Sequence, residues 1–370
     1  MWTIRGVKSG NLWDIFCRVI DNYGDIGVCW RLAAGLAARG QQVRLWVDDA
    51  SALRWMAPGG ATGVEVHAWD DARHTEALPT GDVLIETFGC EVEPHFKAAF
   101  IRKMNASARP NCWINLEYLS AESYVENCHG LPSPVVGDDG RWVQKHFFYP
   151  GFTGHTGGLL RETDLSAQQA HFERDTWLRE QAISSSGERL ISLFCYEPTA
   201  LAALLTQLAN DPLPTHLLVT AGRASAALNN CVVQMNEATP AWNRQKNLLI
   251  TYLPPLSQRD FDRLLWSCDL NFVRGEDSLV RALWANKPFI WQIYPQTDDA
   301  HHLKLEAFLK LIKAPASLHD WHQAWNGVRA GALPALALDE WQDVVSRARA
   351  QQLLEEDLVT KLIHFASKNR

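Results

Sequence analysis

Apolar runs of six to eight residues recur along the chain, and longer segments with helical spacing separate many of them. WDIFCRV (13–19) leads into VCWRLAAGLAARG (28–40), whose Gly40 suits a helix stop. QVRLWV (42–47), VEVHAW (64–69) and DVLIET (82–87) follow, and a helical segment at 94–104 precedes CWINLEY (112–118). Runs this apolar, joined by helices, predict parallel strands covered on both faces. The second half repeats the alternation, with strands at 190–196, 215–222, 247–254, 269–275 and 288–294 and helices near 198–209, 257–267 and 277–286. From 298 the spacing is helical to the end: a segment DDAHHLKLEAFLKLI, then 318–330, 336–350 and 352–368. Between the halves, 128–165 is rich in Gly and Pro and reads as long loops, 167–183 as a helix, and SSSGER (184–189) as a linker.

A chain of 370 residues exceeds what one hydrophobic core usually organises. Two α/β domains are expected, 1–183 and 184–370, the second carrying the helical tail. Sheets of this kind bind ligands outside the carboxyl ends of their strands, here in the crevice expected between the domains. A formal charge of −7 argues against a general binder of nucleic-acid backbone. Apolar stretches such as LISLFCY (190–196) fall far short of the roughly 18 residues that span a bilayer. Residues 1–11 have no continuous apolar core and read as a short leader, not a signal peptide. The eight cysteines are scattered and form no C-x-x-C pair, which suits reduced, packed thiols in a cytoplasmic protein. No Cys/His spacing fits a structural zinc site, and His301 and His302 are adjacent rather than helically spaced.

Two stretches carry chemistry. In Asp21-Asn22-Tyr23-Gly24-Asp25-Ile26-Gly27, two carboxylates follow a strand and precede a helix. Asp25 is suited to capping that helix, and the glycines ease the turn and the approach of a ligand. Two readings stand open here: a capped turn with Asp21 solvated, or two acids converging on one substrate group, one accepting a proton. No Walker or dinucleotide fingerprint is present. In FVRGEDSLVRALWANKPFIWQIYPQ (272–296), a strand ends, Arg274, Gly275, Glu276 and Asp277 form a loop, and Ser278 is expected to open a helix. A glycine, a hydroxyl and free helix N–H groups suit a diphosphate, and Arg274 adds charge. Glu276 suits a sugar hydroxyl or a cation, since it would repel phosphate; a plain Asp277/Ser278 cap is the competing reading. Phe194, Tyr196 and Tyr294 stand at strand ends of the second half, and Tyr252, Gln258 and Phe261 surround a strand–helix turn, where packing or a nucleotide could use them.

Taken together, WDIFCRVIDNYGDIGVCWRLA, INLEYLSAE (114–122), FFYPGFTGHTGGLLRE (147–162) and VRGEDSLVRALWANKPFIWQIYPQ (273–296) resemble the bacterial protein-arginine rhamnosyltransferases that modify translation elongation factor P. The resemblance runs from about residue 13 to the C-terminal helices. It implies a GT-B fold, two Rossmann-like domains facing across a cleft, with a terminal helix able to cross back to the first domain. It implies an inverting transfer of rhamnose from dTDP-β-L-rhamnose to an arginine guanidine nitrogen, without a metal or other cofactor. Carried onto matching positions, Asp25 takes the place of the general base, Asp21 of the supporting acid and Glu276 of the essential glutamate of the RGEDS loop. Phe194, Tyr196, Gln258, Arg274, Asp277, Ser278 and Tyr294 match donor-site positions, and Asn22, Tyr23 and Gly24 form the turn near donor and acceptor. The competing functions are a GT-B transferase with another nucleotide sugar or a carbohydrate or lipid acceptor, and a non-enzymatic nucleotide-sugar-binding module.

Overall fold

A computed structural model describes residues 11–20, 23–106, 111–295 and 300–369. Residues 1–10 of the expected leader (1–11) and both Asp21 and Asn22 lie outside the described residues. The chain forms two units, Met1–Glu162 with Glu355–Arg370, and Thr163–Leu354.

The first unit is built on a seven-stranded sheet. Its strands are β1 (Leu12–Cys17), β2 (Gln42–Val47), β3 (Val64–Ala68), β4 (Val83–Thr87), β5 (Cys112–Leu116), β6 (Pro132–Val136) and β7 (Trp142–Phe148), in the order β3-β2-β1-β4-β5-β7-β6. All neighbours pair in parallel except β6 and β7. Its helices are α1 (Gly24–Ala37), α2 (Leu53–Met56), α3 (Pro94–Ala106), α4 (Tyr124–Cys128) and, from the far end of the chain, α14 (Leu358–Lys368). Strand alternation sends Trp13, Ile15, Cys17, Leu45, Ile85 and Ile114 to one face, where Ile26, Cys29 and Leu36 of α1 and Leu358, Val359 and Leu362 of α14 cover them. Gly35 permits this: a Cβ there would stand 2.9 Å from Val359 Cγ2. Phe16, Trp46, Leu84 and Trp113 face the other way, against Phe96 and Phe100 of α3. Asp14, the one charge in the WDIFC run, is fully buried and satisfied by Arg44 (2.7 Å), Trp46 Nε1 (2.9 Å) and the Gly81 N–H (2.6 Å).

The second unit is an all-parallel sheet of β8 (Arg189–Leu193), β9 (Thr215–Val219), β10 (Leu248–Tyr252), β11 (Leu270–Arg274) and β12 (Phe289–Gln292), in the order β10-β9-β8-β11-β12. Around it lie α5 (Leu165–Ala170), α6 (Arg174–Glu180), α7 (Leu201–Asn210), α8 (Arg223–Ala238), α9 (Gln258–Ser267), α10 (Gly275–Ala285), α11 (Ala300–Leu311), α12 (Ala316–Trp325) and α13 (Leu338–Leu353).

The fold departs from the sequence-based expectations in four places. The boundary falls after Glu162 instead of at 183, because Trp177, Leu178 and Ile183 bury themselves with Leu190, Leu218 and Leu264 of the second unit, while residues 355–370 join the first. The segment 128–165 is not all loop: β6 and β7 form a hairpin closed at Gly140 (φ +76°), with β7 paired to β5. Pro132 and Pro134 are tolerated because β6 is an edge strand. The expected helix at 167–183 is two short ones, α5 and α6, and α8 fills a connection for which no helix is expected.

The second unit also contains a pH-sensitive brace. His322 of α12 is fully buried; its Nε2 accepts the Trp291 N–H at 3.0 Å and its Nδ1 donates to the Leu318 carbonyl at 2.9 Å. Burial pulls its pKa down from 6.5 to about 4, so the imidazole is neutral. The unfolded chain binds this proton below pH 6.5 and the folded chain refuses it until about 4. Stability therefore falls as pH drops through that window, by on the order of 2 kcal/mol for this group at pH 5. His129, also lowered to about 4 by burial, acts in the same direction in the first unit. Denaturant unfolding at pH 7.5 and pH 5 measures the loss; equal midpoints would show that neither histidine titrates on unfolding.

Candidate functional site

Strand β1 lies where the strand order of the first sheet reverses, with β2 on one side and β4 on the other. Such a switch point leaves space beyond the strand end for a ligand. The turn after Cys17 enters α1 at Gly24, with Tyr23 as the cap residue. Asp25 is therefore not the expected N-cap. It sits in the first helical turn, 4% exposed, with Oδ2 accepting the Ile20 N–H at 2.9 Å. The carboxylate is folded back across the turn, fixed in place near the positive end of the helix dipole. Tyr23 packs edge-on against Trp55 at 4.9 Å, and its carbonyl accepts the Gly27 N–H at 3.0 Å, while Gly24 is partly buried beside it.

Beneath Asp25 lies a layer of neutral sulfur and hydroxyl groups. The Thr87 hydroxyl donates to the Phe16 carbonyl (2.7 Å) and receives the Cys29 thiol (3.5 Å), and the Cys90 thiol reaches the same carbonyl (3.4 Å). The Cys17 thiol is pushed well above its ordinary range, first by its hydrogen bond with Cys29, then by burial, with the negative charge of Asp25 adding to both. Burial pushes Cys90 up to about 12. Raised in this way, the Cys17 and Cys90 thiols stay protonated at neutral pH.

The second unit repeats the design. The order of its sheet reverses between β8 and β11, so β11 borders that switch point. Its last residue, Arg274, caps α10, and Gly275 at φ +63° turns the strand directly into the helix, a backbone position that disfavours any side chain. The helix thus begins three residues before Ser278. The Ser278 hydroxyl is 3% exposed; it accepts the Arg274 N–H at 2.9 Å and donates to the Arg274 carbonyl. Trp291 Nε1 secures the Gly275 carbonyl at 2.8 Å.

The Arg274 guanidinium, 5% exposed, lies 4.4 Å from the ring centre of Phe194 and 4.6 Å from that of Tyr196, and donates to the Cys195 carbonyl at 3.0 Å. Tyr196 is held by its N–H to Gln292 Oε1 (2.8 Å) and meets Tyr294 edge-on at 5.6 Å. Phe194 meets Phe261 at 5.2 Å, one helical turn beyond Gln258 at the start of α9. Phe194, Tyr196, Arg274 and Tyr294 therefore form one continuous contact set, with Ser278 joined through the backbone of Arg274. Glu276 and Asp277 occupy the first turn of α10, half-buried, and Glu276 forms an ion pair with Lys304 of α11. Sequence reasoning missed Lys304, Gln292 and the Thr87 layer. Gln292 lies inside the WQIYP run, but nothing local marks Lys304 as the partner of a glutamate 28 positions away.

Among the described residues, no three His, Cys, Asp or Glu side chains are grouped to hold a metal ion, and no helix is long and apolar enough to cross a membrane. The rings of His301 and His302 lie 4.1 Å apart.

Residues 13–367 match the family described as Elongation-Factor P (EF-P) rhamnosyltransferase EarP. A protein-arginine rhamnosyltransferase of Pseudomonas putida is 44% identical over 95% of this chain and 98% of its own length. A solved structure concerning EarP-mediated arginine glycosylation of translation elongation factor EF-P is 32% identical, covers 97% of this chain and 100% of that one, and has a TM-score of 0.65. A glycosyltransferase of Rickettsia africae shares the fold at TM-score 0.53 with 8% identity, over 97% of this chain and 98% of its own. With the two sheets described above, parallel apart from the β6–β7 pair, these likenesses make the architecture a GT-B fold of two Rossmann-like units.

Proposed function

This chain belongs to the elongation factor P rhamnosyltransferase family EarP, and from that premise we propose that it moves L-rhamnose from dTDP-β-L-rhamnose to a guanidine nitrogen of one arginine in translation elongation factor P, with inversion at the anomeric carbon. The enzyme is a protein-arginine rhamnosyltransferase, a hexosyltransferase by class. What supports the finer reading is a buried, fixed carboxylate in the turn after β1 and, in the other unit, an arginine against two aromatic rings at the end of β11.

A guanidinium has a pKa above about 12 and a delocalised lone pair, which makes it a poor nucleophile at neutral pH. Asp25 removes a proton as the nitrogen–carbon bond forms, and Asp21 holds the cation in place. The bond from the anomeric carbon to the diphosphate breaks, and its electron pair leaves on the dTDP oxygen. That developing charge meets Arg274 and the N–H groups at the start of α10. Ser278 serves this site by holding the backbone of Arg274, and Tyr196, Tyr294, Phe194, Gln258 and Asp277 shape the donor pocket. Glu276, which is ion-paired with Lys304, positions the sugar or the incoming cation. Asn22, Tyr23 and Gly24 present the turn to the substrates. No metal or other cofactor enters this scheme, and neither a nucleic acid nor a membrane is a partner. The setting we propose is the cytoplasm, which suits eight free cysteines.

Intact mass of elongation factor P after incubation with the enzyme and dTDP-β-L-rhamnose tests the reading. The expected result is a gain of one deoxyhexose on the wild-type factor and none when the acceptor arginine is replaced by lysine. No gain with a verified donor would refute the assignment of donor and acceptor.

A further inference from the structure

The carboxyl end of the first sheet carries a second acidic pocket that the transfer chemistry does not use. Glu117 directly follows β5 and is partly exposed. Asn115, 4% exposed, donates Nδ2 to Glu117 Oε1 at 2.7 Å. A carboxylate accepts only, so this contact orients the amide with its Oδ1 on the other side. That Oδ1 is buried and accepts no hydrogen bond from the protein. An unpaired buried acceptor beside a carboxylate is costly unless a donor arrives to meet it.

The surroundings define the donor. Glu86, in register with Asn115 on β4 and 5% exposed, is paired with Lys145 and with Trp113 Nε1 (3.2 Å), and Lys97 acts on it from the exposed side of α3. Burial holds the Glu117 carboxyl above the usual carboxylate range, and the charge of Glu86 adds to it against the pull of Asn115 and Lys145. Tyr124 (48% exposed) and Tyr149 lie edge-to-face at 6.0 Å. Burial raises both phenols, Tyr149 to about 12, and the nearby charge of Glu117 raises both further. A carboxylate, an unpaired amide oxygen and two phenol rings suit a cation with several N–H donors, such as a lysine ammonium or arginine guanidinium. A metal ion fits less well, since no group of three or more ligands exists among the described residues.

The position of the pocket selects the bearer of that cation. Only β4 separates β5 from β1, so the pocket stands about 10 Å along the sheet edge from the strand end that precedes Asp25. Asn115 also alternates with Ile114, which packs toward α1, and so faces away from that helix. An arginine held there is out of reach of the reaction, yet one docked protein can span both points. We infer that the Asn115–Glu117 pocket anchors a second basic side chain, Lys or Arg, of the protein acceptor, distinct from the arginine that is modified. This rests on the reading that the acceptor is elongation factor P.

Steady-state kinetics with elongation factor P test it. Glu117→Gln keeps the Asn115 contact and removes the charge, so KM for the factor should rise about tenfold while kcat and the donor KM are retained. Glu117→Lys should raise it further. Replacing the acceptor's surface Lys and Arg residues one at a time by Ala should find one position at which the Glu117→Gln effect vanishes. Wild-type transfer with an unchanged acceptor KM in both variants overturns the anchor alone, as does a fall confined to kcat. Absence of transfer by the wild-type enzyme overturns the acceptor reading and the anchor with it.

Discussion

Asp25→Asn is expected to leave a folded protein that binds donor normally and transfers rhamnose roughly a hundredfold to ten-thousandfold more slowly, the range spanned by a positioned base. The asparagine oxygen can still accept the Ile20 N–H that Asp25 takes at 2.9 Å, so the turn into α1 should persist. What disappears is the capacity to remove a proton. Single-turnover transfer with saturating donor and acceptor measures the chemical step, and donor titration measures binding. Transfer within threefold of wild type would remove Asp25 from the role of base; parallel loss of donor binding and thermal stability would make it a structural residue.

Arg274→Met should act on the other substrate. Methionine preserves some packing between Phe194 and Tyr196, whose ring centres lie 4.4 and 4.6 Å from the guanidinium, but it removes the charge and the donation to the Cys195 carbonyl. Loss of one preorganised donor to a leaving group typically costs about a hundredfold to a thousandfold in rate. Arg274→Lys separates charge from shape: lysine keeps the cation but cannot lie flat between two rings or donate in a fork. Recovery of less than a tenth of wild-type kcat/KM by lysine would show that the planar clamp matters. Full recovery would reduce Arg274 to a point charge, and unchanged donor kinetics in Arg274→Met would exclude it from the donor site.

The parts of this molecule legible in its sequence are those whose burial is uniform. The strand segments WDIFC, CWINL and LISL are wholly buried, so apolar runs announce them. The β6–β7 hairpin is hidden because its edge strand alternates exposed and half-buried residues and contains two prolines. Helix α8 is hidden for a related reason: Ala224 and Leu228 are its only fully buried residues, too sparse a stripe to register. At the sites, RGEDS marked the turn after β11, yet it also suggested that Ser278 opens the helix. The positive φ of Gly275 moves that start forward and commits the hydroxyl to the backbone. Asp25 looked like a cap because capping residues and first-turn acids share the same composition; only the Ile20 contact tells them apart. Lys304 could not be foreseen, since its pairing with Glu276 depends on where α11 packs.

Helix α14 has a consequence for the order in which the protein can be made. Leu358, Val359, Leu362 and Ala366 complete the core of a unit whose other residues precede position 163. The unit built from Thr163–Leu354 is continuous in sequence, and all of it is synthesised before that helix. The half of the enzyme that begins first therefore finishes last. Until the final helix arrives, the apolar face of β1, β4 and β5 beside α1 is left partly bare, and the turn bearing Asp25 rests on an unfinished support.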